Sequence, residues 1–158
     1  MTNLTLERAT AADLDTVLRL LSESSLPAAD LDQHIEAFIL AKSAGTVVGT
    51  IGLEVYGEIG LLRSLSVARS YRARGIAGTL LTAITSSATA QGVRTLYLLT
   101  TGAGPYFARR GFASVSRDTV PPEIRGTLQF SSLCPSTALC MSKAIVPPPH
   151  LESTGCQC

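Results

Sequence analysis

Three arginines, Arg69, Arg72 and Arg74, stand just ahead of Gly75 and Gly78, and a fourth, Arg63, lies a little upstream. Nothing acidic occurs between Arg63 and Arg117. Ile76, Leu80, Leu81 and Ile84 then recur at helical spacing. The first turn of a helix offers unpaired N–H groups and a partial positive charge. A glycine there lets a bulky group approach the backbone closely. Basic side chains ahead of such a turn describe a site for a phosphate-bearing ligand. Packing gives no reason for three clustered arginines.

Arg63 stands apart from that cluster, inside the apolar run Leu61 to Val67. An arginine is seldom placed on a buried strand without a partner. Two readings stay open. It recognises an anionic group on a substrate through its bidentate fork, or it forms a buried ion pair, with Glu54 as the candidate partner. Four cysteines, Cys134, Cys140, Cys156 and Cys158, offer thiols, which bind soft ions such as trivalent arsenic.

The elements that must position these residues follow from the pattern. Leu4 to Arg8 alternates as a first strand. Thr10-Ala11-Ala12-Asp13 is a capping-box start, and Leu14, Val17, Leu18 and Leu21 mark one helix face. Ser24 to Pro27 breaks that helix, and Ala28 to Ile35 holds a second, short one. Ala37 to Lys42 and Thr46 to Tyr56 are strands joined at Ser43-Ala44-Gly45. Gly57 turns the chain into the strand carrying Arg63, completing an antiparallel meander. Ile76 to Ala90 is a helix crossing to a parallel strand, Arg94 to Thr101. Gly104-Pro105 opens another helix and Gly111 ends it. Phe112 to Ser116 and Thr137 to Ala144 are the last strands. The segment 146–158, Pro-rich and then small and polar, is expected to be a flexible tail on a single domain over residues 1–145.

Composition excludes several classes. The net charge of +1 across 158 residues gives no general basic field for nucleic acid. No run is long and apolar enough to cross a membrane. The start of the chain lacks the features of a signal peptide. A soluble cytoplasmic protein is expected, with cysteines as thiols rather than disulfides.

Arg72-Ala73-Arg74-Gly75-Ile76-Ala77 fits the pattern Gln/Arg-x-x-Gly-x-Gly/Ala behind a Leu-Ser-Val strand end. With the helix, strand and short helix ending Arg110-Gly111-Phe112 that follow, it resembles the acetyl-CoA pyrophosphate loop of the GNAT superfamily of N-acetyltransferases. The resemblance covers Leu4 to Lys143. It implies an α/β (α+β) GNAT fold: a mixed sheet of about six to seven strands, splayed between the fourth and fifth, flanked by about four helices. It also implies acetyl-CoA as cosubstrate, a small-molecule primary amine as acceptor, and a homodimer. By the same resemblance Leu65, Ser66 and Val67 pair with the pantetheine arm, the Val67 N–H donating to the oxyanion. Arg72, Ala73, Arg74, Gly75, Ile76, Ala77 and Gly78 hold the pyrophosphate, with a hydroxyl from Thr79. Thr100 and Phe107 complete the cofactor set.

The chain departs from the family at the catalytic acid. Members often carry a tyrosine four residues before the Gly-Phe pair, and Phe107 stands there. Tyr106 precedes it, about 100° round the helix, and is the candidate acid. The family's glutamate on the central strand is replaced by Leu61, Leu62 or Arg63, which leaves Glu54 and Glu58, each acting through a water, as candidate bases, and His34 as a further one.

Leu-Leu-Arg-Ser-Leu-Ser-Val, Leu-Leu-Thr-Thr and the stretch from Pro121-Pro122 through Gln129 and Ser132 to Ala138 resemble a bacterial subgroup linked to arsenic resistance. That implies an amino-acid-like acceptor, with carboxylate, phosphonate or arsonate as the group facing Arg63, and Gln129 and Ser132 as further acceptor candidates. Two other functions stay open: acetyl-CoA binding without transfer, and thiol-based metalloid binding.

Overall fold

Residues 4–26, 28–127, 130 and 138–145 are described by a computed structural model. Strands β1 (Leu4–Arg8), β2 (Phe38–Ser43), β3 (Thr46–Tyr56), β4 (Ile59–Val67), β5 (Thr95–Thr100), β6 (Ala113–Ser114) and β7 (Leu139–Ala144) form one sheet. Their order is β1-β2-β3-β4-β5-β7-β6. Helices α1 (Leu14–Glu23), α2 (Leu31–His34), α3 (Ile76–Ala90), α4 (Gly104–Arg109) and α5 (Pro122–Arg125) cover its faces. The mixed sheet and flanking helices are those of the GNAT fold.

Local chemistry sets the boundaries. The Thr10 N–H donates to the Asp13 carboxylate at 2.9 Å, the capping box expected ahead of α1. Ala44 and Gly45 both have positive φ (52° and 83°), as a two-residue turn between twisted antiparallel strands requires. α2 is shorter than the expected Ala28–Ile35, and β6 keeps only two residues of the expected Phe112–Ser116.

Three apolar clusters hold the layers together. Leu80 and Ile84 of α3 pack on Ile51, Leu53 and Leu62. Val17 and Leu21 of α1, with Leu31, pack on Phe38 and Leu40 on the other face. Ile124 and Val120 cover Leu61 and Cys140. Leu80, Leu61, Phe38 and Ile124 are fully buried, and each such side chain contributes on the order of 1.5–3 kcal/mol.

What matters for function happens along β4. It pairs with β5 in parallel only at Ile59↔Thr95, Gly60↔Leu96 and Leu61↔Tyr97. Beyond Leu61 the two strands part, while β5 continues to pair with β7 up to Thr100↔Leu139. On its other side β4 keeps β3, but the register slips between Thr50 and Gly52. Opposite that slip Ser64 has φ 58°, a left-handed conformation for a residue with a Cβ. Such a residue costs on the order of 1–3 kcal/mol and marks a bulge that bends the strand. The Thr50 hydroxyl donates to the Ser64 carbonyl at 2.9 Å and fixes it.

Without a bulge, alternation would put Arg63 and Leu65 on one face. Instead Leu65 packs with the cluster of Leu62, on the α3 side, and Arg63 is left on the α1–α2 side.

Candidate active site

The parted strands open a cavity of about 970 Å³. Leu62, Ser64 and Leu65 of β4 form one wall, and Leu98, Leu99 and Thr100 of β5 the other. Arg72 and Ala77 lie at the phosphate-loop end, Tyr106 and Phe107 on α4, and Ser24, Ser25, Leu26, Ala28 and Ala29 between α1 and α2 also line it. Past Leu61 and Tyr97, β4 and β5 do not pair with each other, so their facing main-chain groups are available to an extended ligand.

At the loop end, Ala73 (φ 64°) and Gly75 (φ 82°) both adopt left-handed backbone, and α3 starts at Ile76. A Cβ built on Gly75 meets nothing within 4 Å, so the backbone lies open. Residues 72–75 are exposed, and α3 begins with no acidic residue in its first turn and no side-chain cap. The N–H groups of that turn are therefore free to bind an anion. These features fit the pyrophosphate of a coenzyme A ester. Two side chains differ from the expectation. The Thr79 hydroxyl donates to the Gly75 carbonyl at 3.0 Å, which commits its proton. The Arg72 Nε donates to the Val67 carbonyl at 2.9 Å, so this arginine also braces the end of β4.

Tyr106 lines the cavity, and its hydroxyl is a buried oxygen without a hydrogen-bond partner among the described residues. Phe107 is 7 % exposed and wedged edge-on between Tyr106 and Phe112, with ring centroids 5.3 and 5.6 Å apart. The residue at the family's usual tyrosine position is thus a core aromatic that also borders the cavity, and Tyr106 carries the polar atom. The Thr100 hydroxyl accepts from the Ala103 N–H at 3.0 Å and shapes the turn into α4.

Arg63 takes the second of the two readings left open. Its side chain is 0 % exposed. Nη1 and Nη2 donate to the two Asp30 carboxylate oxygens at 2.8 and 2.6 Å. Nη1 also donates to Glu54 at 2.8 Å, and Nε donates to the Ser64 hydroxyl at 3.1 Å. The fork expected to hold an acceptor is filled. Burial alone would raise the Asp30 carboxyl, but hydrogen bonding and the charge of Arg63 outweigh it and hold it below its ordinary value. The Tyr56 hydroxyl donates to Glu54, and burial together with that bond raises its pKa.

Glu54 is 5 % exposed and does not border the cavity. Glu58 is exposed and lies outside it too. His34 Nε2 lies 3.6 Å from Asp30 and 3.7 Å from Glu54. Asp30, His34 and Glu54 bring ligand atoms within 4.8 Å of one another, but the Arg63 guanidinium already sits between both carboxylates.

Gln129, Ser132, Cys134, Cys156, Cys158 and the segment 146–158 lie outside the described residues. Cys140 is buried in the core under α5, and burial raises its thiol pKa. Two residues were not legible as site residues. Asp30 is separated from Arg63 by 33 positions, with no local motif to link them. Arg110 lies over the Tyr106 ring at 5.1 Å, and its guanidinium would be 2.6 Å from a Cβ on Gly78. Gly78 therefore keeps room for an arginine beside the phosphate loop.

A sequence profile of the acetyltransferase (GNAT) family matches residues 4–112, and the chain belongs to that family. Among curated relatives, an amino-acid acetyltransferase of Neisseria meningitidis serogroup A is 31 % identical over 93 residues, 58 % of this chain and 21 % of that protein. The chain thus spans about a fifth of that relative's length (21 %). Among solved structures, N-acetylglutamate synthase from Neisseria gonorrhoeae, complexed with coenzyme A and N-acetyl-glutamate, superposes with a TM-score of 0.81. Identity there is 22 %, over 93 % of this chain and 36 % of the other. Rv2747 from Mycobacterium tuberculosis, in complex with CoA, gives 0.77 at 19 % identity, over 90 % of this chain and 99 % of the other.

Proposed function

We propose that this protein transfers the acetyl group of acetyl-CoA to the primary amine of a small, anionic, amino-acid-like acceptor. The observation that carries the reading is the gap between β4 and β5, which joins the open phosphate loop to a cavity with no carboxylate among its described lining residues. Among the described residues lining it, Arg72 and Tyr106 present ionisable side chains, while Arg63 borders it with a buried side chain whose charge is met by Asp30 and Glu54. An anion is attracted there and a dication is not. The amino-acid acetyltransferase relatives support an amino-acid acceptor. Phosphonate and arsonate share the charge of a carboxylate, so the arsenic-linked acceptor suggested by the sequence belongs to the same class.

Acetyl-CoA supplies an activated thioester. Transfer forms a bond between the amine nitrogen and the carbonyl carbon, breaks the carbon–sulfur bond, and releases the amine proton to water. Leu65, Ser66 and Val67 align the pantetheine arm through main-chain groups, and the Val67 N–H donates to the developing oxyanion. Residues 72–78 hold the pyrophosphate. Tyr106 donates its unpaired hydroxyl hydrogen to the departing sulfur, and general acid help of this kind contributes ~10²–10⁴-fold. Glu54 takes no direct part. No carboxylate among the described residues borders the cavity, so the acceptor enters as the free amine or loses its proton through water. The same reading carries a cytoplasmic homodimer, which sedimentation of the purified chain would test.

An acceptor screen read by release of free coenzyme A tests this. L-glutamate, L-glutamine, 2-aminoethylphosphonate, an amino-arsonate and spermidine would be compared. Release is expected with the anionic amines and not with spermidine. Release with the polyamine alone, or with no amine, would overturn the reading.

A further inference from the structure

Among the described residues, the charged side chains that are almost fully buried are Asp30 (1 % exposed), Arg63 (4 %) and Glu54 (5 %). All three meet in one cluster. Burying charges is a poor route to stability, because well-packed apolar residues in their place are often as good or better. The cluster's value lies in what it holds in place. Arg63 joins three pieces of backbone: Asp30 at the end of the α1–α2 connection, Glu54 on β3, and the Ser64 bulge on β4.

The α1–α2 connection is the piece that would otherwise be loose. Ser24, Ser25, Leu26, Ala28 and Ala29 line the cavity, and Ser24 also borders a neighbouring cleft with Arg69 and Arg72. Ser25 has φ 57°, a left-handed conformation that needs support from its surroundings. The connection is pinned at two ends. The Ser24 and Ser66 hydroxyls bond at 2.5 Å, and Asp30 takes the Arg63 fork. Both anchors are on β4, the strand that also forms the opposite wall.

We propose that Arg63 is a positioning residue: through Asp30 it sets the acceptor-facing wall of the cavity, and so governs acceptor affinity without touching the acceptor. The kinetic part of this rests on the acetyl-transfer reading, and the structural part does not. Geometry excludes direct contact, because the guanidinium is 0 % exposed and four of its N–H groups are spent. A lysine keeps the charge but cannot reach both Asp30 oxygens, Glu54 and Ser64 from one planar fork.

The test compares Arg63→Lys and Asp30→Asn with the wild-type full chain. Amide hydrogen exchange is measured by mass spectrometry, and kinetics are measured with L-glutamate and L-glutamine. In both variants the amides of 24–31 are expected to exchange roughly tenfold faster or more, with those of α3 unchanged. Acetyl-CoA affinity is expected to stay the same, while KM rises roughly ten- to hundredfold for both amino acids alike, more than kcat falls. Unaltered exchange over 24–31 would overturn the proposal, as would equal acceleration in every segment, the mark of a merely structural ion pair. A KM rise confined to L-glutamate would also overturn it, pointing to direct recognition of a carboxylate. If the wild type acetylates neither amino acid, the proposed acceptor class fails and the exchange result still decides the role of Arg63.

Discussion

Tyr106 and Asp30 carry the sharpest consequences at the scale of single residues. A buried hydroxyl without a partner costs on the order of 1–3 kcal/mol. Removing it in Tyr106→Phe should leave the melting temperature unchanged or higher, while kcat falls ~10²–10⁴-fold if the hydroxyl serves the departing thiolate. Equal kcat in the variant would return Tyr106 to a packing role. Asp30 gives a pH signature. Its carboxyl is held below the ordinary carboxylate range by Arg63, against the effect of burial. A depressed folded-state pKa contributes stability that is complete above the unfolded value and is lost as pH falls through the folded one. Acid unfolding of the wild type should therefore steepen below the ordinary carboxylate range, and Asp30→Asn should lack that limb. Identical acid limbs for both proteins would show that the pair does not report on folding.

At the scale of elements, the loop ahead of α3 combines two left-handed residues, Ala73 and Gly75. An alanine there is strained by ~1–2 kcal/mol. Ala73→Gly should relieve part of that, offset by ~0.5–1 kcal/mol of glycine entropy, and raise the melting temperature slightly without weakening acetyl-CoA binding. A lower melting temperature would mean that the Ala73 side chain has a packing role. This loop was readable in the sequence because its signal is local: glycines, arginines and a helical repeat within a few residues. The capping box at Thr10 and the turn at Ala44-Gly45 were legible for the same reason. The Arg63 cluster was legible only in part: Glu54 on β3 stood out as the candidate partner, but Asp30 comes from the α1–α2 connection, which no spacing rule links to β4. The position of the Ser64 bulge is not written in Leu-Leu-Arg-Ser-Leu-Ser-Val itself, because only the register with β3 shows where the alternation breaks. The expected β6 strand from Phe112 to Ser116 shrank to Ala113–Ser114, a sheet edge with one partner strand, β7.

At the scale of the whole molecule, a nearly neutral chain of net charge +1 groups four of its exposed arginines around the start of α3. Arg69, Arg72, Arg74 and Arg110 are all exposed. Screening shortens the reach of such charges from ~10 Å at 0.1 M salt to ~3 Å at 1 M. Acetyl-CoA affinity should therefore weaken severalfold over that range, and KM for a neutral amine should not follow it. Salt-independent affinity would place the phosphates elsewhere.

The fold needs β4 and β5 to part at Leu61 and Tyr97, and the cofactor loop needs backbone that approaches phosphate without a side chain between. Gly75 is where those demands meet: left-handed, open, and one residue before α3. Calorimetric titration of acetyl-CoA into the wild type and into Gly75→Val tests this most directly. Strain of ~1–2 kcal/mol should lower the variant's melting temperature by a few degrees. The account predicts saturable one-to-one binding by the wild type and no measurable binding by the folded variant. Equal affinity for both would contradict it.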